Sequence, residues 1–392
     1  MSGLQRLHEA MAARVEQRQL PGIVLLVAQR DEVWVDAIGV TQFEGTEPMR
    51  RETLFRIASM TKPIIAAVTL MLVEDGVVQL DAPVQKWLPE MANPRVLRQP
   101  DAELDDTVPA RRPITVDDLL TFRFGSGMLV EPSMDPPFPI VKRAEELQLA
   151  LSRPDPRTPH TPDEWMKRFA SLPLLYQPGE RWLYNVGSML LGVLLARASG
   201  KALGDLLLER VFAPLGMHDT GFQLPLEKTR TLPAYYMTNF ATGQLELLNL
   251  SRPEEWSTPP PFPSGAGGLL STVDDFLAFA RMLLNRGDSP GGRLLGEESV
   301  ELMTRNHLTP DQMATAGVIL GGGGRGWGYG VAVATEPDAA WPVPGRYGWA
   351  GGYGTDWLND PHRQVVGLAM TQVSDFLWNG GLAEFDVLVG SI

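Results

Sequence analysis

Two apolar runs near the start of the chain, IVLLVAQR (23–30) and VWVDAIGV (33–40), are separated only by Asp31 and Glu32. Such runs joined by a two-residue polar break predict a β-hairpin. Further on, residues 64–76 read IIAAVTLMLVEDG, apolar on nearly every face of a helix until Gly76 ends it. A helix that is apolar all round indicates a central, buried position.

Helical patterns interrupted by prolines dominate residues 81–263, in the segments 117–122, 140–151, 163–172, 187–200 and 202–212. After Gly268 two more helices are predicted, DDFLAFARMLLNRG and EESVELMTRN, and then strand-like runs return as WGYGVAVAT, TDWLND and QVVGLAMTQ. Strands at both ends of a chain with helices between them favour one sheet built from both ends. We therefore predict an α/β domain of residues 1–80 and 264–392, with residues 81–263 as a mainly helical inserted domain.

Composition narrows the range of partners. The 392 residues carry a formal net charge of −13, so a basic surface for nucleic acid or anionic lipid is not expected. Cysteine is absent, which excludes disulfides, thiol nucleophiles and cysteine metal sites. The first twenty residues form an amphipathic helical pattern without the apolar core of a signal peptide, and no run reaches membrane-spanning length. The expectation is a cytoplasmic protein, and the oligomeric state stays open.

Candidate chemistry begins at RIASMTKPI, where Ser59 and Lys62 stand three residues apart before the apolar helix. The pattern alone is weak, because roughly one chain in four would contain it by chance. Pro63 places the helix start no earlier than about Ser59, and residues three apart share a helix face. Burial could then lower the pKa of Lys62 enough for it to act as a base. A helix-capping serine beside a solvent-exposed lysine remains an equal alternative at this stage.

Other motifs give weaker indications of a catalytic or binding site. GDSPG (287–291) matches the GxSxG pattern of α/β-hydrolases, but Pro290 lacks the backbone N–H that such an oxyanion hole requires. The five histidines have no metal-ligand spacing, although a Ser-His-Asp triad from distant residues stays open. The glycine-rich run 321–330 lacks the lysine of a phosphate loop, and a strand pattern follows it. We therefore predict a loop that enters a strand near the site. Residues 122–138 and 255–262 are aromatic and proline-rich, and are candidates for pocket walls.

Five ordered stretches resemble the class C β-lactamase superfamily of serine hydrolases, and within it the family VIII carboxylesterases. They are LFRIASMTKPI, RPITVDDLLTFRFGSG, QPGERWLYNVGSMLLGVLL, SGAGGLLSTVDDFLAFARMLLNRG and YGWAGGYGTDWLNDP. The resemblance implies a class C β-lactamase-like fold, α/β plus all-α, with an antiparallel sheet flanked by helices and a helical insertion.

The resemblance also implies roles for the first two motifs. Its SxxK motif falls on Ser59 as nucleophile and Lys62 as base. Its second motif, often YxN, falls on Tyr184, which would share the serine proton with Lys62 and pass it to the leaving group. Val186 stands where asparagine is usual, and this departure leaves a non-catalytic binding protein with the same fold as one alternative.

The third motif departs further from the β-lactamases. Their Lys-Thr-Gly corresponds to Trp349, Ala350 and Gly351, with Trp349 and Gly351 as substrate-binding candidates. A tryptophan offers an apolar face where β-lactamases have a cation for a carboxylate. The backbone N–H groups of Ser59 and Gly352 would form the oxyanion hole.

Together the motifs predict a carboxylesterase that cleaves small-molecule esters, with short acyl chains, through an acyl-serine intermediate and without a cofactor or metal. The alternative within the same chemistry is a β-lactamase or a D-amino-acid peptidase.

Overall fold

The computed structural model describes residues 3–129, 137–151, 158–239, 242–248, 252–322 and 324–392. Within these ranges the strands of one seven-stranded sheet come from the two ends of the chain. They are β1 (Gly22–Gln29), β2 (Glu32–Gly39), β11 (Arg325–Trp327), β12 (Ala332–Ala334), β13 (Tyr347–Gly351), β14 (Thr355–Asp360) and β15 (Val365–Met370).

The other strands form small two-stranded pairs. They are β3 (Phe55–Arg56) with β8 (Leu270–Ser271), β4 (Arg95–Leu97) with β5 (Thr107–Pro109), β6 (Tyr235–Asn239) with β7 (Gln244–Leu248), and β9 (Asp288–Ser289) with β10 (Gly292–Arg293).

Helices pack on both faces of the large sheet, and most of them lie in sequence between β2 and β11. They are α1 (Gly3–Glu16), α2 (Thr61–Glu74), α3 (Val116–Leu120), α4 (Pro139–Glu146), α5 (Pro162–Phe169), α6 (Val186–Ser199), α7 (Leu203–Leu207), α8 (Ala213–Leu215), α9 (Leu226–Thr229), α10 (Val273–Leu284), α11 (Glu297–Thr304), α12 (Pro310–Leu320) and α13 (Gly381–Gly390). A π-helical segment, Leu208–Phe212, connects α7 to α8.

Strand β1 lies inside the sheet, paired antiparallel with β15 on one side and β2 on the other. Its side chains alternate between two cores, as the period of two of a strand requires. Ile23, Leu25 and Val27 pack with residues of α1 and α13, whereas Val24 and Leu26 belong to the larger core that contains α2 and α10. All strands of the large sheet pair antiparallel, in the order β11-β12-β13-β14-β15-β1-β2.

Helix α2 is buried from Thr61 through Leu72, as its continuous apolar pattern predicts. It contacts α6 in the inserted region and α11 in the C-terminal region. The residues that precede α2 are therefore held at the junction between the sheet and the inserted helices.

Several elements differ from the sequence prediction. The run WGYGVAVAT (327–335), predicted as one strand, is instead the last residue of β11, a turn at residues 328–331 where Gly330 has φ +75°, and strand β12. The region 81–263 contains the β4–β5 and β6–β7 hairpins as well as helices, and α12 and α13 were not predicted. The division into two domains at residues 80 and 263 stays a prediction.

Among the described residues, no single helix is long and apolar enough to cross a membrane. Helix α6 and the segment Leu203–Leu215 reach that length and hydropathy only as a pair bent by 81°.

Candidate active site

Ser59 lies in a 3-10 turn, Ala58–Met60, that leads directly into α2. Its side chain is almost buried, and the residue is 8% exposed. The preceding Ala58 has φ +42°, a left-handed conformation that a residue with a Cβ adopts only at a cost of about 1–3 kcal/mol. The local backbone therefore presents Ser59 at the end of a constrained turn.

Lys62 is fully buried one helical turn after Ser59. Its Nζ lies 2.9 Å from Ser59 Oγ and donates to the carbonyl oxygen of Ala266 at 2.7 Å. No acidic side chain among the described residues forms an ion pair with it. Burial without a counter-ion lowers the pKa of the Lys62 ammonium well below its ordinary range. A neutral amine beside the serine hydroxyl can accept its proton.

Tyr184 lies next to both catalytic candidates: its phenol hydrogen-bonds with Ser59, and its ring centroid is 4.7 Å from Lys62 Nζ. Burial raises the pKa of the Tyr184 phenol, and hydrogen bonds with Ser59 and Trp349 only partly oppose that shift. The phenol therefore stays protonated at neutral pH, with an O–H group to donate. A ring of aromatic side chains creates this apolar setting: Phe122, Trp182, Trp327 and Trp349.

Trp349 is bound to Tyr184 by a direct hydrogen bond. Its Nε1–H donates to Tyr184 Oη at 2.8 Å, and its ring packs edge-on against Trp327 with centroids 4.8 Å apart. The indole thus occupies one acceptor position of the phenol oxygen and leaves the phenol hydrogen available for other acceptors. This polar contact was not expected from the sequence, which suggested only an apolar face.

The turn after Tyr184 determines where the other two residues of the second motif, Asn185 and Val186, are placed. Asn185 has φ +86° and ψ −57°, and Val186 N–H donates back to Tyr184 O at 3.2 Å, which is a strained γ-turn. Asn185 lines the cavity and donates from Nδ2 to Leu151 O at 2.6 Å, whereas Val186 is buried in the core at the start of α6. Asn185 therefore borders the cavity one position earlier than the asparagine of the usual motif, with its amide group bound to Leu151 O.

Gly351 and Gly352 occupy different environments at the end of β13. A Cβ on Gly351 would lie 2.3 Å from Ile57 O and 2.2 Å from Thr355 Oγ1, so only glycine lets β13 approach the serine turn this closely. Gly352 is exposed and lines the cavity, and no atom lies within 4 Å of a Cβ there. Gly351 is absent from the cavity lining, so the structure gives it a packing position, and the predicted contact with substrate stays a prediction.

The cavity next to Ser59 has a volume of about 530 Å³, within the usual range for small-molecule sites. Its walls include apolar residues from distant segments: Met128, Met237, Ile319, Leu320, Trp341 and Leu377. Gly321 and Arg325 also line it, which places part of the glycine-rich run at the site as predicted.

The two predicted pocket-wall segments contribute little. None of residues 255–262 lines the cavity, because Trp256 and Phe262 are buried in the core. Of residues 122–138, Met128 lines the cavity and Phe122 packs behind Tyr184, while residues 130–136 lie outside the described ranges.

The rival motifs lie elsewhere. Ser289 of GDSPG sits in the β9–β10 hairpin and donates to Gly292 O at 2.7 Å. None of the five histidines lines the cavity. Within the described ranges, no group of three or more His, Cys, Asp or Glu side chains is arranged to hold a metal ion.

Comparison with known proteins identifies the family to which this chain belongs. The sequence model described as Beta-lactamase matches residues 7–382, nearly the whole chain. The chain belongs to the Beta-lactamase family. The predicted fold class and the resemblance to class C β-lactamase-like serine hydrolases are thereby confirmed.

Relatives with similar sequences cover most of the chain. An uncharacterized protein from Mycobacterium tuberculosis is 38% identical over 364 residues, which are 90% of this chain and 86% of that protein. Esterase EstB of Burkholderia gladioli is 30% identical over 399 residues, 96% of this chain and 91% of the esterase. Among solved structures, EstCE1, described as a hydrolase with promiscuous acyltransferase activity, has a TM-score of 0.79 at 24% identity and covers 99% of this chain and 98% of its own.

Proposed function

We propose that the protein is a carboxylesterase that cleaves small-molecule esters through an acyl intermediate on Ser59. The observation that carries the proposal is the buried Lys62 amine, without a counter-ion, 2.9 Å from Ser59 Oγ. A lysine whose pKa is lowered by burial is a base at neutral pH, and a serine hydroxyl needs such a base to become a nucleophile. The 30% identity with Esterase EstB supports ester cleavage in particular.

The proton follows a short path in this mechanism. Lys62 Nζ takes the proton from Ser59 Oγ as the oxygen attacks the ester carbonyl. Tyr184 then donates its phenol proton to the departing alcohol and receives one from Lys62, so that alcohol, acyl-serine and neutral lysine result. Water attacks the acyl-serine in the second half, and the same groups return the proton to Ser59.

The oxyanion would be held by the backbone N–H groups of Ser59 and Gly352. Gly352 lines the cavity directly after the strand that contacts the serine turn, and its carbonyl accepts from Ser374 Oγ at 2.6 Å. Each such fixed donor contributes about 2.7–4 kcal/mol of transition-state stabilisation in serine hydrolases.

An ester is favoured over a β-lactam because of the third motif. Trp349 provides no cation for the carboxylate that a β-lactam or a peptidoglycan terminus carries, and its N–H is already bound to Tyr184. The rest of the cavity wall is largely apolar, which suits a neutral acyl group. The buried Lys62 amine beside Ser59 argues against the inactive binding protein that Val186 left as an alternative.

The proposal is tested by labelling and by substrate choice. A fluorophosphonate should form an adduct on the peptide that contains Ser59, detected by mass spectrometry, and p-nitrophenyl esters should be hydrolysed much faster than a cephalosporin. Absence of an adduct at Ser59 would favour the non-catalytic binding protein. Cephalosporin turnover at an efficiency comparable to esters would favour the β-lactamase alternative.

Trp349→Phe should lower kcat about three- to tenfold with a smaller change in KM, because one hydrogen bond of about 0.5–1.5 kcal/mol that orients Tyr184 is lost while the aromatic wall remains. Steady-state kinetics with p-nitrophenyl butyrate measure both constants. Trp87→Phe, which makes the same change outside the cavity, serves as the matched control. An increase in KM alone would show that Trp349 only contacts the substrate.

A further inference from the structure

The cavity reaches beyond the serine to the opposite face of the sheet. Successive residues of a strand point to opposite faces, yet Gly348, Trp349 and Ala350 of β13 all line the same cavity. Among the described residues, β12 pairs with β13 only at Tyr347 and Gly348, so the following residues have a neighbouring strand on one side only. The cavity therefore passes around the open edge of β13.

Two carboxyl groups line this second part of the cavity. Asp356 on β14 pairs in register with Ala350, and Asp386 comes from α13, which packs on that face. Both are nearly buried, at 5% and 3% exposure. One oxygen of each carboxyl, Asp356 Oδ2 and Asp386 Oδ1, is fully buried and has no hydrogen-bond partner among the described residues, so each carboxyl lacks part of its usual solvation. Asp386 Oδ2 accepts from Trp341 Nε1 at 2.9 Å, which fixes that carboxyl.

Nearby arginines do not balance these acids. Arg325 and Arg346 lie close enough to lower the pKa of both carboxyls. Each arginine already has another acidic partner at 3.4 Å, Asp338 for Arg325 and Asp360 for Arg346. Four carboxyls thus share two guanidinium groups, and the surplus of negative charge lies where Asp356 and Asp386 line the cavity.

We propose that Asp356 and Asp386 form a subsite for a primary ammonium group of the substrate, so that the natural substrate is an ester that carries a protonated amine. The proposal rests on ester cleavage at Ser59, because the subsite belongs to the same cavity. An ammonium group has three N–H donors and a positive charge, so it can hydrogen-bond to the carboxyls that line the cavity and offset their surplus negative charge.

The protonation of the pair agrees with this assignment. Burial raises the pKa of Asp386 to about 6 and that of Asp356 well above its ordinary value, and the charge on Asp386 raises the pKa of Asp356 further. Two buried carboxylates in one small space repel each other, and a bound proton or a bound cation relieves that repulsion. An ammonium group would take the place of that proton.

Binding is measured first, by calorimetry near neutral pH, with benzylammonium and benzyl alcohol as a charged and a neutral donor of equal size. Benzylammonium should bind about tenfold more tightly, since hydrogen bonds to charged groups are stronger than neutral ones. Asp356→Asn and Asp386→Asn should each reduce this ratio toward one, whereas Glu336→Gln, on the exposed surface, should keep it. Equal affinities, a preference for the alcohol, or a ratio unchanged in both Asn variants would overturn the ammonium subsite.

Turnover is measured second, with 4-(aminomethyl)phenyl butyrate and the similarly sized neutral 4-ethylphenyl butyrate. The expected kcat/KM is about tenfold higher for the charged ester, and this ratio should fall in both Asn variants. Equal turnover of the two esters would overturn the subsite and leave the esterase proposal intact. No turnover of either ester, with benzylammonium binding as expected, would overturn the esterase proposal and leave the ammonium site standing.

Discussion

Ser59→Ala should abolish hydrolysis of p-nitrophenyl butyrate, with a loss in kcat of at least about 10³-fold, as removal of a serine nucleophile does in other hydrolases. The loss is expected because Lys62 and Tyr184 then have no hydroxyl to activate, and only the cavity and the oxyanion donors remain. The missing hydroxyl group is small, and the surrounding side chains keep their packing. Thermal melting should show that the variant is folded.

The matched control is Ser289→Ala in the GDSPG hairpin, which should keep wild-type turnover. If Ser59→Ala kept its turnover and Ser289→Ala lost it, the nucleophile would be the serine of the rival motif. Retention of activity in both variants would place the reaction on another residue altogether.

Lys62→Met should reduce kcat by about 10²–10⁴-fold, the range in which a positioned general base contributes. Methionine fills nearly the same space in the core but has no lone pair of comparable basicity. The reduction should exceed that of Trp349→Phe, because Lys62 accepts the proton itself while Trp349 only orients Tyr184. Single-turnover kinetics with p-nitrophenyl butyrate would measure acylation separately from release of the acid.

The pH dependence of the wild type tests the protonation state that this role requires. The pKa of Lys62 is lowered in the folded protein, so the amine is neutral above that pKa and protonated below it. kcat/KM should therefore reach a plateau on the alkaline side and fall as the pH decreases through the lowered pKa. Lys167→Met, at an exposed lysine, should leave the profile unchanged. A wild-type rate that rises toward acidic pH would contradict a neutral lysine base.

The sequence predicted the elements whose patterns are strong and local. The β1–β2 hairpin and the buried helix α2 follow directly from their apolar runs, and TDWLND is strand β14 residue for residue. The resemblance selected Ser59, Lys62, Tyr184 and Trp349, and these four side chains do meet in one cluster. Their catalytic roles remain proposals.

Features that depend on packing between distant segments were not predictable. The hydrogen bond from Trp349 to Tyr184 depends on the orientation of an indole that its residue type does not specify. Asp356 and Asp386 are thirty positions apart, and they share a cavity wall only because α13 packs on the sheet. By contrast, α12 could have been found, since Thr309 and Gln312 form a capping box that is visible as a T-x-x-Q pattern.

The pairing of β1 with β15 also affects the order in which the protein folds during its synthesis. This strand pair joins residues 24–29 to residues 365–370, and the serine turn contacts Gly351 from the same late part of the chain. Contacts of such high sequence separation form slowly, because a long loop must close before they stabilise anything. During synthesis on the ribosome, β1 can therefore pair with β2 early, but it lacks its second partner until residues 365–370 have emerged. Catalytic activity would then appear only at the last stage of folding, and its recovery after denaturation would report that both ends of the chain have come together.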